Sequence, residues 1–192
     1  MVEDSRIHSI ILDYLDSSRR IIDSIVPKEI EKLALQIFEV RDRGGMVFIA
    51  GNGGSASTAS HFATDLGVGT LKITKPVRAI SLTDNAAVTT AVSNDLDFES
   101  VFQQQIQTLG KPGDLLVLFS ASGNSKNLLS AQKRAKDIGL FVFSVTGFDG
   151  GELRKLTLGN NVHVPSQVGE YGLVEDAHLA ICHMVTECIR VS

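Results

Sequence analysis

Two short segments of this sequence combine glycine with hydrogen-bond donors in a way that suits an anion. One is Gly51-Asn52-Gly53-Gly54-Ser55-Ala56, directly after the apolar run Met46 to Ala50; the other is Ser120-Ala121-Ser122-Gly123-Asn124-Ser125, directly after the run Leu115 to Phe119. In the first, glycines let backbone N–H groups approach a ligand closely where a helix begins. In the second, three hydroxyls surround a glycine at another helix start, so side chains and free N–H groups can bind one dianion together, with the helix dipole adding about 0.3–1 kcal/mol. Each segment also has a plainer reading. The first could be a tight strand-to-helix turn, or the G-x-G-x-x-A form of a dinucleotide fingerprint with Asp84 as the acid after the next strand. In the second, Ser125 could simply cap its helix. A dinucleotide does not need two such loops, so the pair favours a monophosphorylated small molecule and no nucleotide cofactor.

The elements around these loops explain why both would face a ligand. From residue 46 onward, apolar runs without polar alternation (46 to 50, 77 to 82, 115 to 119, 141 to 145 and 162 to 164) alternate with helical stretches. Unalternating runs suit strands buried on both faces of a parallel sheet. The helical stretches are 55 to 66, 85 to 93, 98 to 109, 125 to 138, 151 to 156 and 173 to 191, and the alternation implies right-handed βαβ units in a doubly wound α/β fold. Such sheets bind ligands beyond the carboxyl ends of their strands, where both loops stand. Residues 1 to 45 read differently. Ile7, Ile10, Ile11, Tyr14, Leu15, Ile21, Ile22 and Ile25 form one stripe at three-and-four spacing, and Pro27 opens a second helix that Gly44-Gly45 stops. This helical hairpin either covers its own core or packs against another subunit; stripes through both helices favour a subunit contact.

Bulk properties narrow the function classes. A chain of 192 residues, 43% hydrophobic and 21% charged, is globular in composition and long enough for one domain over residues 1–192 without staples. A formal charge of −4 gives no reason to expect nucleic acid as a partner. Cys182 and Cys188 lie six apart in one helical stretch, roughly 240° around its axis, so they do not pair easily. With no apolar leader and no membrane-length run, a reducing, cytoplasmic location is expected, with no membrane partner.

The loops, Asn94-Asp95, Pro112-Gly113-Asp114, Thr146-Gly147 and Asp149-Gly150-Gly151 together resemble the SIS (sugar isomerase) superfamily along essentially the whole chain, most closely the phosphoheptose isomerases. The resemblance implies a five-stranded, flavodoxin-like parallel core and a homotetramer with sites between subunits. It also implies interconversion of sedoheptulose 7-phosphate and D-glycero-D-manno-heptose 7-phosphate. Some relatives with the same loops do no catalysis, so a sugar-phosphate-binding regulator or scaffold is the alternative, as is an isomerase of a different sugar phosphate.

Carried over by position, Asn52, Gly53, Gly54 and Ser55 match substrate contacts, Asn94 and Asp95 a second contact, and Ser120, Ala121, Ser122 and Ser125 the phosphate cup. The resemblance places a zinc site at His61, Asp65, Glu175 and His183, with Asp65 as catalytic base and His183 as acid. Three departures stand out: Asp65 replaces glutamate, Glu175 replaces glutamine and also faces substrate, and Gly172 replaces aspartate. Isomerising an aldose to a ketose moves a proton between adjacent carbons through an enediol, which requires a base at carbon and an acid at oxygen. Asp65 and His183 could divide that work, and the four donors N, O, O, N suit zinc or another divalent ion, bound more tightly for the added carboxylate. His178, on the same helix, is expected at a polar interface, and His8 and His163 have no constellation around them.

Overall fold

The computed structural model describes residues 2–73 and 75–191, with side chains from Ser5 onward. Two helices come first, α1 (Val2–Asp23) and α2 (Pro27–Asp42), with Pro27 in the first turn of α2, where a missing N–H costs nothing. Five strands follow: β1 (Met46–Ala50), β2 (Arg78–Ser81), β3 (Leu115–Ser120), β4 (Phe141–Thr146) and β5 (Asn161–His163). Between and after them run α3 (Gly54–Gly67), α4 (Ala86–Asp95), a 3-10 turn leading into α5 (Val101–Leu109), α6 (Lys126–Asp137), α7 (Gly151–Leu156) and α8 (Tyr171–Arg190). The expected elements are all present, most with boundaries moved by one or two residues.

All strand pairs are parallel, and the sheet order is β2-β1-β3-β4-β5. After β1 the chain steps outward to β2, then crosses back to β3 on the other side of β1. The connections therefore diverge at the carboxyl ends of β1 and β3, leaving a crevice there. Both candidate loops follow those two strands. Burial explains the unalternating runs: Val47 and Ile49 pack under α2, α3 and α8, whereas Phe48 and Ala50 pack under α5 and α6 on the other face. Asp114 fixes the start of two strands, its carboxylate accepting from the N–H of Met46 at 2.8 Å and of Lys111 at 2.9 Å. The Pro112-Gly113-Asp114 motif thus serves the sheet and not a ligand.

The hairpin is only half absorbed by this core. From α1, Ile21 is buried, but Ile7, Ile10, Ile11, Tyr14, Leu15 and Ile22 remain exposed. Tyr14 ties α1 to α8: its hydroxyl donates to Asp176 Oδ2 at 2.7 Å, and that bond, with burial and the nearby carboxylates adding to it, pushes the phenol up to about 12. The absence of a side chain at Gly172 makes room for it, since a Cβ there would lie 3.1 Å from the Tyr14 hydroxyl.

Candidate active site

The two loops face one another across a cavity of about 150 Å³. Asn52 and Ser55 line it from the β1–α3 side, Ser120, Ala121, Ser122 and Ser125 from the β3–α6 side, and Tyr171 and Glu175 from the first two turns of α8. Gly53 is the N-cap of α3, with φ 56°, a conformation that favours glycine, and Gly54 opens the helix. Neither α3 nor α6 has a side-chain cap: Ser125 occupies the N-cap of α6 yet makes no capping hydrogen bond. Helix-end N–H groups and the Ser125 hydroxyl are therefore left for a ligand.

Side chains from elsewhere hold the loops in register. Asn52 and Asn127 exchange two amide hydrogen bonds, each 2.9 Å, joining the glycine loop to the first turn of α6. Ser120 Oγ accepts from the Gly123 N–H at 3.0 Å, curling the serine loop back on its strand. The Asp149-Gly150-Gly151 turn braces it from outside. Gly123 sits at φ 66°, and a Cβ there would overlap the Gly150 carbonyl, while Asn124 Oδ1 accepts from the Glu152 N–H at 3.0 Å. Asn127 had no place among the sequence candidates; its one signal is an amide side chain in the first turn of a helix directly after the serine loop.

A second cluster lies two turns further along the same helices. His61 and Asp65 on α3 meet His183 on α8, with His61 Nε2 2.9 Å from His183 Nε2 and 3.1 Å from Asp65 Oδ2. One donor atom from each of the three lies within 4.8 Å of the others. Tetrahedral zinc, about 2.0–2.1 Å from each nitrogen, holds neighbouring ligand atoms about 3.3 Å apart. The spacings of 2.9 and 3.1 Å are already close to that value, and the third pair, within 4.8 Å, would close by up to about 1.5 Å to share one ion. Glu175 is not brought to this cluster. Eight residues of helix, about 12 Å of axis, separate it from His183, and its carboxylate packs on Gly54, where a Cβ would overlap it. Asn94 and Asp95 are not brought to the cavity either. They end α4, exposed, with Asn94 donating to Asp95 at 2.9 Å. Asp84, the acid of the dinucleotide reading, accepts a hydrogen bond from Ser60 on α3.

His178 corrects its sequence reading. It is fully buried against Phe119, ring centroids 5.8 Å apart, and neither ring nitrogen has a hydrogen-bonding partner. Burial lowers its pKa to about 4. His163 likewise has surroundings after all, facing Thr146 Oγ1 at 3.2 Å within a buried layer that includes Asn161 and Ser144; burial, then Arg154, lowers its pKa.

A SIS domain model matches residues 13–147, and the chain belongs to that family. It is 35% identical over 177 residues to a probable phosphoheptose isomerase of Thermoplasma volcanium, covering 92% of this chain and 89% of the relative. With a phosphoheptose isomerase of Helicobacter pylori (strain HPAG1) it shares 40% identity over 153 residues, 79% of this chain and 78% of the other. The solved structure of phosphoheptose isomerase GmhA from Neisseria gonorrhoeae superposes with a TM-score of 0.86 at 27% identity, over 98% of this chain and 99% of that one.

Proposed function

We propose that this protein is an aldose–ketose isomerase that converts sedoheptulose 7-phosphate to D-glycero-D-manno-heptose 7-phosphate. The observation that carries the reading is that α3 and α8 run side by side from the cavity to the cluster. Each contributes cavity residues in its first turns (Ser55; Tyr171 and Glu175) and ionisable residues further on (His61 and Asp65; His183). A phosphate held by Ser120, Ser122, Ser125 and the Ala121 N–H would leave an extended sugar lying along these helices, its carbonyl end beside the cluster. Asp65 then takes the proton from C1 of the ketose while His183 protonates the C2 carbonyl oxygen, giving the enediol. Return of a proton to C2, with loss of the O1 proton, completes the aldose. With zinc bound, the same His61, Asp65 and His183 would be its ligands, and the Lewis-acid polarisation that zinc supplies would then take the place of protonation of the carbonyl by His183, leaving the second oxygen of Asp65 for the proton at carbon.

A homotetramer with sites between subunits is part of the proposal. An apolar groove of about 740 Å³ between α1, α2 and α8, lined by Ile22, Ile25, Ala34, Phe38 and Met184, includes His183 at its margin, so a subunit packed there would border the cluster. Unpaired Cys182 and Cys188 agree with a cytoplasmic setting. The helices of the described residues include none long and apolar enough to cross a membrane. Incubation of the purified protein with sedoheptulose 7-phosphate, followed by NMR with and without zinc, tests the activity. Formation of the aldose is expected; ligand binding without turnover would favour a regulator or scaffold.

A further inference from the structure

The cavity between the loops is shaped for an anion, yet among the described residues its one charged lining residue is an acid. Its serines, Asn52 and Tyr171 are neutral, and among the described residues no lysine or arginine lines it; Glu175 brings the formal charge. That carboxylate is half-buried and lies against Gly54, at the first turn of α3. An uncapped helix start stabilises negative charge, and here Glu175 already supplies it. The start of α6 differs: three serine hydroxyls line the cavity beside it, and among the described residues no carboxylate rests on it. The two loops are thus alike in sequence but unequal in charge.

We propose that Glu175 is a specificity-determining residue that reserves the α3 seat against phosphate. A sugar phosphate then enters in one polarity, with its phosphate on Ser120, Ser122 and Ser125. Its hydroxyls pass Glu175, whose acceptor-only oxygens receive O–H donors and repel anionic groups. That polarity sends the carbonyl end along α3 and α8 toward His61, Asp65 and His183. The inference rests on the sugar-phosphate reading of the cavity, but it assigns Glu175 to orientation and not to the ion.

Calorimetric titration with inorganic phosphate tests this independently of turnover. Wild type, Glu175→Gln, Ser122→Ala and the double variant are compared after circular dichroism confirms that each is folded, with Glu175→Ala as a second replacement. Glu175→Gln should bind phosphate about three- to tenfold more tightly, as expected for removing one nearby like charge in a partly buried site. The double variant should bind phosphate more tightly than Ser122→Ala alone, because the α3 seat has become available. Unchanged or weaker affinity in Glu175→Gln would overturn the inference, as would a double variant no better than Ser122→Ala, or phosphate binding to none of the proteins. Heptose turnover is scored separately: inactive wild type with the expected phosphate pattern would refute the isomerase reading and leave the role of Glu175 standing.

Discussion

Asn52 and Asn127, 75 residues apart, form a closed pair of amide hydrogen bonds at 2.9 Å each, and this pair fixes the spacing of the two loops. Asn127 is 3% exposed, so its amide has little water to replace a lost partner. Replacing Asn127 by Ala should lower stability by about 1–3 kcal/mol and raise KM for the sugar phosphate more than it lowers kcat, because the loops lose their register. Urea denaturation and steady-state kinetics on the same variant would show both effects.

The serine loop should act through binding. Ser122→Ala and Ser125→Ala each remove one hydroxyl from the phosphate seat, and a hydrogen bond to a charged group contributes about 1.5–3 kcal/mol. KM should therefore rise roughly tenfold or more with kcat largely kept. A fall in kcat at constant KM would place these serines at the reacting carbons instead.

Much of this arrangement was legible in the sequence. Strands buried on both faces announce themselves as unalternating apolar runs, and glycine and serine clusters after β1 and β3 mark the crevice because only strand ends are open there. What failed to show was long-range pairing. Asn127 carries only the weak mark of an amide in the first turn after the serine loop, and nothing local shows that it meets Asn52. Glu175 could not be separated from His183 by type, although 12 Å of helix, by the 1.5 Å rise, already argued against their meeting. His178 was misassigned because helical periodicity does not reveal whether a polar residue on the inward face has a partner. The stripe on α1 has the same period whether it covers its own core or another chain, and only burial shows that Ile7, Ile10 and Ile11 remain uncovered.

Acid should destabilise the fold through His178. Its folded pKa of about 4 lies below the ordinary 6.5, so the unfolded chain binds the proton more readily. The contribution is therefore complete above pH 6.5 and is lost as pH falls toward 4, amounting to about 3 kcal/mol in all. The lowered pKa of His163 acts in the same direction. Thermal melts from pH 7.5 to 4 should show this loss, and His178→Phe should flatten much of it; an unchanged slope would exclude His178 as its origin.

Tyr14→Phe deletes the hydroxyl bonded to Asp176 while keeping the ring. It should destabilise the attachment of α1 by about 0.5–1.5 kcal/mol, and faster amide exchange within α1 would report it.

The position of the bound substrate decides most. A crystal structure of Asp65→Asn with sedoheptulose 7-phosphate bound would test that directly, since the variant should bind the sugar without turning it over. Phosphate oxygens within hydrogen-bonding distance of Ser120, Ser122 and Ser125, with C1 and C2 beside residue 65 and His183, are the predicted result. A phosphate on the α3 loop, or a reacting end turned away from His61 and His183, would contradict it.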